Sequence, residues 1–394
     1  MKLRNGALGL VILACVLANI LYPGIYRFDQ DVIHYSIARD GYPSFNFGVG
    51  IYWIVELVNS IFRPEDAHFR NQVFKAVASV AFLLPVGLLG RDLIRGTRAY
   101  FFYLLLLVLS LFPFLWLSTE LFLAGALAWT FWLIQRRADG AWVGFALFLT
   151  STLKVEVILP ALLIAILYWR DLGASKDRKR FVGSFVGCLG IAHGAGMVLM
   201  GSDYWTRYSV RSLWAIVQHY SDLFYKHQVG TGIPIPFDEA DQWGAKLFPE
   251  AKSALGFVIH YPSHYLDYVA MSTMRGLKKV GLIFGPGILL ILYRIWVGLR
   301  GRDPLTGIQK YFVWSMIGII PMILLSFPHV RYLSRYFGPM LLILLMWLES
   351  LSPERSRERN LGWLILGGMG VFQAALFVRA WRGFDSQGFF WFPD

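Results

Sequence analysis

Along this chain, apolar runs of about 15 to 23 residues alternate with short charged segments, the length that carries a helix across roughly 30 Å of hydrocarbon. Nothing else in the sequence constrains the fold so strongly. With 56% hydrophobic and only 16% charged residues, the 394-residue chain reads as an all-α polytopic membrane protein, a single integral membrane domain over 1–394. Disorder, coiled coil and a disulfide scaffold are excluded. The net charge of +12 suggests nucleic acid at first sight, but the basic residues stand at the ends of apolar runs instead of on one soluble face, so nucleic-acid binding is set aside. Cys15 and Cys188 each fall within an apolar run, where a thiol acts as a small hydrophobe.

The runs place about eleven spans at 6–23, 71–90, 99–117, 121–135, 140–153, 155–169, 181–201, 280–299, 311–327, 336–350 and 361–380. Lys2 and Arg4 before the first run also suit a signal peptide, yet no A-x-A-like cleavage site follows, so an uncleaved span is expected. With the N-terminus cytoplasmic, the short inner loops collect Arg91, Arg95 and Arg98, then Arg136 and Arg137, then Lys176 to Arg180, and later Arg294 to Lys310 and Arg355 to Arg359. That charge bias decides two ambiguous stretches. Segment 49–62, with Glu56 and Asn59, becomes an interfacial or re-entrant helix, and 140–169 becomes a hairpin of two short helices whose tip carries Lys154 and Glu156. The outer face then holds a first loop at 24–70, a large loop at 202–279, and corners at 118–120, 151–156 and 328–335. No fixed-period repeat is visible.

The first outer loop opens Tyr26-Arg27-Phe28-Asp29-Gln30-Asp31-Val32-Ile33-His34-Tyr35. If Asp31 caps a short helix, Asp31, His34 and Tyr35 share one face by their spacing, an arrangement able to bind a sugar hydroxyl and take its proton. A helix cap with an ion pair to Arg27 or Arg39 explains the same residues without chemistry. His193, within the seventh span, reads as an interhelical hydrogen-bonding group. The large outer loop mixes Trp205, Trp214 and Trp243 with Asp238, Glu239 and Asp241; such aromatics stack on sugars and also anchor at bilayer surfaces, so acceptor recognition there stays open.

Four short stretches in order resemble the GT-C fold, lipid-phosphosugar-dependent glycosyltransferases of the protein mannosyltransferase and aminoarabinose transferase type. They are Asp29 to Tyr35 with Arg39-Asp40-Gly41, Ser118-Thr119-Glu120-Leu121, Leu153-Lys154-Val155-Glu156 ahead of Leu159-Pro160, and His329-Val330-Arg331-Tyr332-Leu333 before Pro339. The resemblance spans about 20–170 and 310–350 and leaves 202–279 unmatched. It implies a transferase that takes a sugar from a polyprenyl-phosphate donor to a glycan, lipid or protein acceptor, its site on the periplasmic or exterior side of a bacterial cytoplasmic membrane. The implied general base is Asp31, with Asp29 nearly equal. Lys154 and Arg331 are expected on the donor phosphate with His329 beside them, because a monophosphate leaving group needs positive charge in a low-dielectric setting. His34, Tyr35, Glu120, Glu56 and Tyr332 complete the expected substrate contacts. Lys154 paired with Glu156 as a snorkelling lysine, Arg331 and Arg335 as headgroup anchors, and Glu56 facing water are the structural alternatives.

No metal-binding spacing is present, and Asp29, Asp31, Glu120 and His329 could meet a divalent ion only through the fold, so no cofactor is required and a metal-independent, inverting displacement is expected. Two other classes compete. A transporter or flippase of lipid-linked sugars would gather its charges near the bilayer midplane in broken, repeated helices. A glycan polymerase or ligase would use a diphosphate-linked donor at the same face.

Overall fold

The computed structural model describes residues 2–21, 67–111, 118–153, 157–173, 175–200, 240–285, 287–301, 307–326, 337–351 and 353–387, with single positions at 57, 61, 213, 216, 217, 220 and 305. These residues are helical or in short turns, without a strand among them. In chain order the helices are α1 Lys2–Leu21, α2 Ala67–Leu93, α3 Thr97–Leu111, α4 Ser118–Gln135, α5 Gly140–Leu153, α6 Ile158–Asp171, α7 Ser175–Met200, α8 Ala240–Leu247, α9 Ala254–His260, α10 Pro262–Phe284, α11 Gly287–Leu299, α12 Ile308–Ser326, α13 Phe337–Ser350 and α14 Ser356–Gln387. A helix occupies each apolar run of the sequence. By length and composition two of them, Lys2–Leu21 and Gln72–Leu93, are able to cross a membrane.

The expected hairpin over 140–169 is present as α5 and α6, each of 14 residues. Tyr168 near the end of α6 donates to the Ala138 carbonyl before α5 at 3.4 Å, so the two arms are antiparallel. The expected span at 280–299 is instead interrupted. α10 runs to Phe284 and α11 starts at Gly287, because Gly285 takes a positive φ of 50° and Pro286 supplies no amide hydrogen to continue the helix.

Backbone contact sets how closely the helices approach. Pro85 inside α2 cannot donate to the Ala81 carbonyl one turn earlier, and Gly125 of α4 packs onto that carbonyl. A Cβ at Gly125 would lie 2.1 Å from the Ala81 oxygen, so only glycine permits this spacing. The same economy joins α5 to α7: Gly140 and Gly144, four residues apart, leave room for the Asp177 and Phe181 carbonyls. Around these contacts lies a core of aliphatic and aromatic side chains, from Leu8 of α1 to Leu366 and Met369 of α14.

One end of the bundle is tied by polar contacts. Arg4 donates to the carbonyls of Arg91, Ile94 and Arg95, closing the end of α2. The Glu349 carboxylate at the end of α13 accepts the Arg95 and Gly96 amides at 2.7 and 2.8 Å, ahead of α3. Asp92 takes a two-pronged contact from Arg136 at 2.7 and 3.0 Å and a third hydrogen bond from the Trp132 indole at 2.9 Å. Tyr311 of α12 donates to Asp171 at 2.6 Å, and Arg180 of α7 pairs with Asp139 at 2.5 Å. The Asp139 carboxyl is held below its usual range, first by the Ala141 amide and then by Arg180. Four of the segments that the charge pattern assigned to inner loops are thus in contact in pairs: Arg4 with the carbonyls of 91–95, Asp92 with Arg136, and Asp139 with Arg180.

A second, smaller core stands apart from the first. Leu213, Ile216, Val217, Phe248, Ala251, Phe257 and Tyr268 are buried together. Phe248 and Phe257 meet edge to face at 4.8 Å, and Tyr220 approaches Phe248 at 5.4 Å. Ser253 caps α9 by accepting from the Gly256 amide at 3.0 Å.

Candidate functional site: a stepped end opposite the basic seal

Helix register gives the heights of elements at the other end. The Thr130 and Thr150 hydroxyls lie 3.5 Å apart between antiparallel α4 and α5. From that level α4 continues outward for twelve residues to Ser118, about 18 Å, whereas α5 continues only three to Leu153, about 4.5 Å. On the other side, Gly318 of α12 packs against Pro160 of α6. From there α12 runs outward eight residues to Ser326, about 12 Å, while α6 begins two residues away at Ile158, about 3 Å. The facing ends of α5 and α6, Leu153 and Ile158, thus form a step, roughly 9 to 14 Å below the ends of α4 and α12. Two 14-residue arms dictate this, since neither can reach as far as its neighbours.

The last turn of α5 brings Thr150, Ser151 and Thr152 to this step, all buried. Their hydroxyls donate back to the carbonyls of Ala146, Phe148 and Leu149 at 2.8, 2.8 and 3.0 Å, which satisfies them without a neighbouring helix.

The wall behind α4 holds a group that the sequence reading passed over. Lys75 of α2 is fully buried, with 0% exposure. Lys75 lies six residues outward of Ala81, and Thr119 six residues outward of Gly125, so the Gly125–Ala81 contact sets Lys75 level with the first turn of α4. The Phe74 and Phe122 rings, 5.1 Å apart, pin the two helices just there. One turn inward on the same side, buried Ser79 accepts from the Asn19 side-chain amide of α1 at 3.1 Å, and that amide also donates to the Cys15 carbonyl at 2.8 Å. Among the described residues the Asn19 side-chain oxygen has no partner. An interior lysine is costly in hydrocarbon and a functional-site hypothesis by default. The signal was available, as a lone cation inside the 71–90 run.

Glu120 lies in that first turn of α4, level with Lys75. The expected site residues Asp29, Asp31, His34, Tyr35, Glu56, Lys154, His329, Arg331 and Tyr332 lie outside the described residues, as does the side chain of Glu120. Connectivity still orders them. Asp29 and Asp31 lie on the link leaving the end of α1, Lys154 joins α5 to α6, and His329 to Tyr332 follow α12. Each link departs from the end of the bundle away from Arg4, Asp92 and Glu349. Of the segment 49–62, Leu57 and Ile61 are described and helical, both exposed. His193 is half-buried in α7, and Asp241 and Trp243 fall in α8, whose Gly244 rests against Val217. Among the described residues, no group of three or more His, Cys, Asp or Glu is placed to hold a metal ion. No protein-family model matches the chain, and no curated protein or solved structure matches it either.

Proposed function

We propose that this chain is an integral-membrane glycosyltransferase of the GT-C type, moving a sugar from a polyprenyl-phosphate donor to a glycan, lipid or protein acceptor at the extracytoplasmic face. One observation carries the reading. The links that hold the candidate base and the candidate phosphate-binding residues all leave the bundle from the end that carries Glu120, where the facing ends of α5 and α6 stop short of their neighbours. A stepped, partly apolar surface suits a lipid-linked sugar, because the phosphate must lie near the membrane surface while its tail stays in hydrocarbon.

In this reading the apolar runs are about eleven spans, the N-terminus and the basic seal are cytoplasmic, and the protein sits in the cytoplasmic membrane of a bacterium. Asp31, or Asp29 beside it, removes the acceptor proton. Lys154, Arg331 and His329 neutralise the departing phosphate, and His34, Tyr35, Glu56, Glu120 and Tyr332 hold the sugars. Attack opposite the leaving phosphate inverts the anomeric centre. The flippase reading is disfavoured by the position of Lys75, which lies near one end of the apolar span Gln72–Leu93 and not at its middle.

The test is transfer by purified protein in nanodiscs, with a panel of radiolabelled polyprenyl-phosphate sugars. Consumption of one donor with inverted product linkage by NMR is expected. Donor left intact but carried across proteoliposome bilayers would replace this reading by the flippase, and use of diphosphate-linked donors alone would replace it by the polymerase or ligase.

A further inference from the structure

The small aromatic core is built on α9 and α10, and these helices carry a second apolar face that the core does not use. Phe257 and Tyr268, each with 0% exposure, point into the core. On the other side Leu255 and Ile259 of α9, and Leu266 and Met274 of α10, are 68%, 63%, 65% and 67% exposed. Single exposed leucines are ordinary, but four large apolar side chains on two helices that pack together mark a contact surface. The spacing is helical in both cases: 255 and 259 are one turn apart, and Leu266, Ala270 and Met274 share one side of α10 with Thr273 among them. At 100° per residue Arg275 and Lys279 fall at positions opposite Leu266, and Lys278 one turn beyond Met274 at the edge of that side.

What covers the stripe follows from the next helix. After the turn at Gly285, α11 buries Leu290 and Ile291 but leaves Leu289, Leu292, Tyr293 and Trp296 exposed, at 68%, 56%, 43% and 43%. Two consecutive helices, joined by a two-residue turn, present apolar side chains to the same surroundings. A cationic stripe opposite an apolar one is the pattern of a helix lying in a lipid interface, its charges directed at headgroups.

We propose that the outward face of α9 and α10, carried by Leu255, Ile259, Leu266 and Met274, seats in the headgroup and acyl-chain border of the outer leaflet and moors the aromatic module on the membrane. The proposal rests on the membrane reading above. It names lipid as the occupant, and it separates two kinds of surface within the 202–279 segment: aromatic rings spent on an internal core, and aliphatic side chains left for the bilayer.

Site-directed spin labelling tests it in the full-length protein, with Cys15→Ala and Cys188→Ala as background, in nanodiscs of phosphatidylethanolamine and phosphatidylglycerol. Nitroxides are placed by Leu266→Cys and Met274→Cys on the stripe, Lys252→Cys in the exposed turn ahead of α9, and Leu10→Cys on exposed α1 as a membrane reference. Power saturation at 266 and 274 is expected to be dominated by oxygen, with a ratio to nickel chelate severalfold over that at 252. If the stripe labels are open to nickel chelate while Leu10→Cys is lipid-facing, the mooring is wrong and the membrane reading stands. If labels at 266 and 274 are closed to both relaxants, protein covers the stripe, as a second copy would, and the proposal falls. Nickel access at Leu10→Cys as well would overturn the membrane reading itself.

Discussion

The two ends of α2 show how differently this fold treats charge. At the inner end Arg91 and Asp92 keep some access to water, and Asp92 is held by Arg136 and by the Trp132 indole. At the outer end Lys75 has none. The first arrangement ties helix ends together, through Arg4 on three carbonyls and Glu349 on two amides as well, and each contact replaces hydration at modest net gain. The second removes an ammonium from water altogether, which costs several kcal/mol before its surroundings repay it. The contrast separates a seal, which holds the bundle, from a stepped end, at which the proposed chemistry occurs.

Substitutions at the two ends should therefore fail in different ways. The largest effect is expected from Lys75→Met, with transfer per folded molecule falling by about 100-fold or more, and Lys75→Arg recovering part of the rate. Full activity in Lys75→Met would erase the distinction. Next comes the contact that sets the level of Lys75. Gly125→Ala must push α4 off the Ala81 carbonyl, costing about 1–3 kcal/mol in thermal or denaturant unfolding and lowering activity as well, because Lys75 and the first turn of α4 lose register. At the seal, Asp92→Ala strands the Arg136 and Trp132 donors and is expected to cost about 1–2 kcal/mol, yet leave the rate per folded molecule unchanged; a lowered rate at equal folding would show that the seal communicates with the step.

The smallest effect is pH-dependent. The folded Asp139 carboxyl titrates below its unfolded value of about 4, so its contribution to stability is present above that value and disappears as pH falls through the lower, folded one. Asp139→Asn should flatten this part of the acid loss and lower the neutral-pH melting temperature by the same small amount, the carboxylate being exposed. A scan of melting temperature from pH 7 to 3 for both proteins checks it.

Most of the helix pattern was legible because apolar run length and flanking charge are local signals. The pair of helices α5 and α6 was legible for the same reason, since Arg136 and the cluster Lys176 to Arg180 bracket an apolar run that the positive-inside expectation divides in two. Three features were not. Lys75 was hidden by averaging, as one cation in an apolar run barely changes the run. The break at Gly285 and Pro286 was written in the residue types but overridden by apolar residues on both sides. The aromatic core joins Leu213 to Tyr268 over more than fifty residues, and burial of Phe248 and Phe257 depends on contacts that no local pattern encodes. For the candidate site, sequence supplied the residues and the described helices supply the heights of the helix ends from which their links depart. Glu120 illustrates the division: its motif came from sequence, and its level beside Lys75 from the Gly125 contact.

The central claim is that chemistry occurs at the stepped end and depends on a first-loop carboxylate. The most direct measurement is single-turnover sugar transfer from a polyprenyl-phosphate donor by wild type, Asp31→Asn, Asp29→Asn and Asp92→Asn, with donor binding followed in parallel. Transfer lost by about 100-fold or more in one of the first-loop variants, with donor binding retained and Asp92→Asn active, is the predicted result. Transfer undiminished in both Asp31→Asn and Asp29→Asn would contradict it.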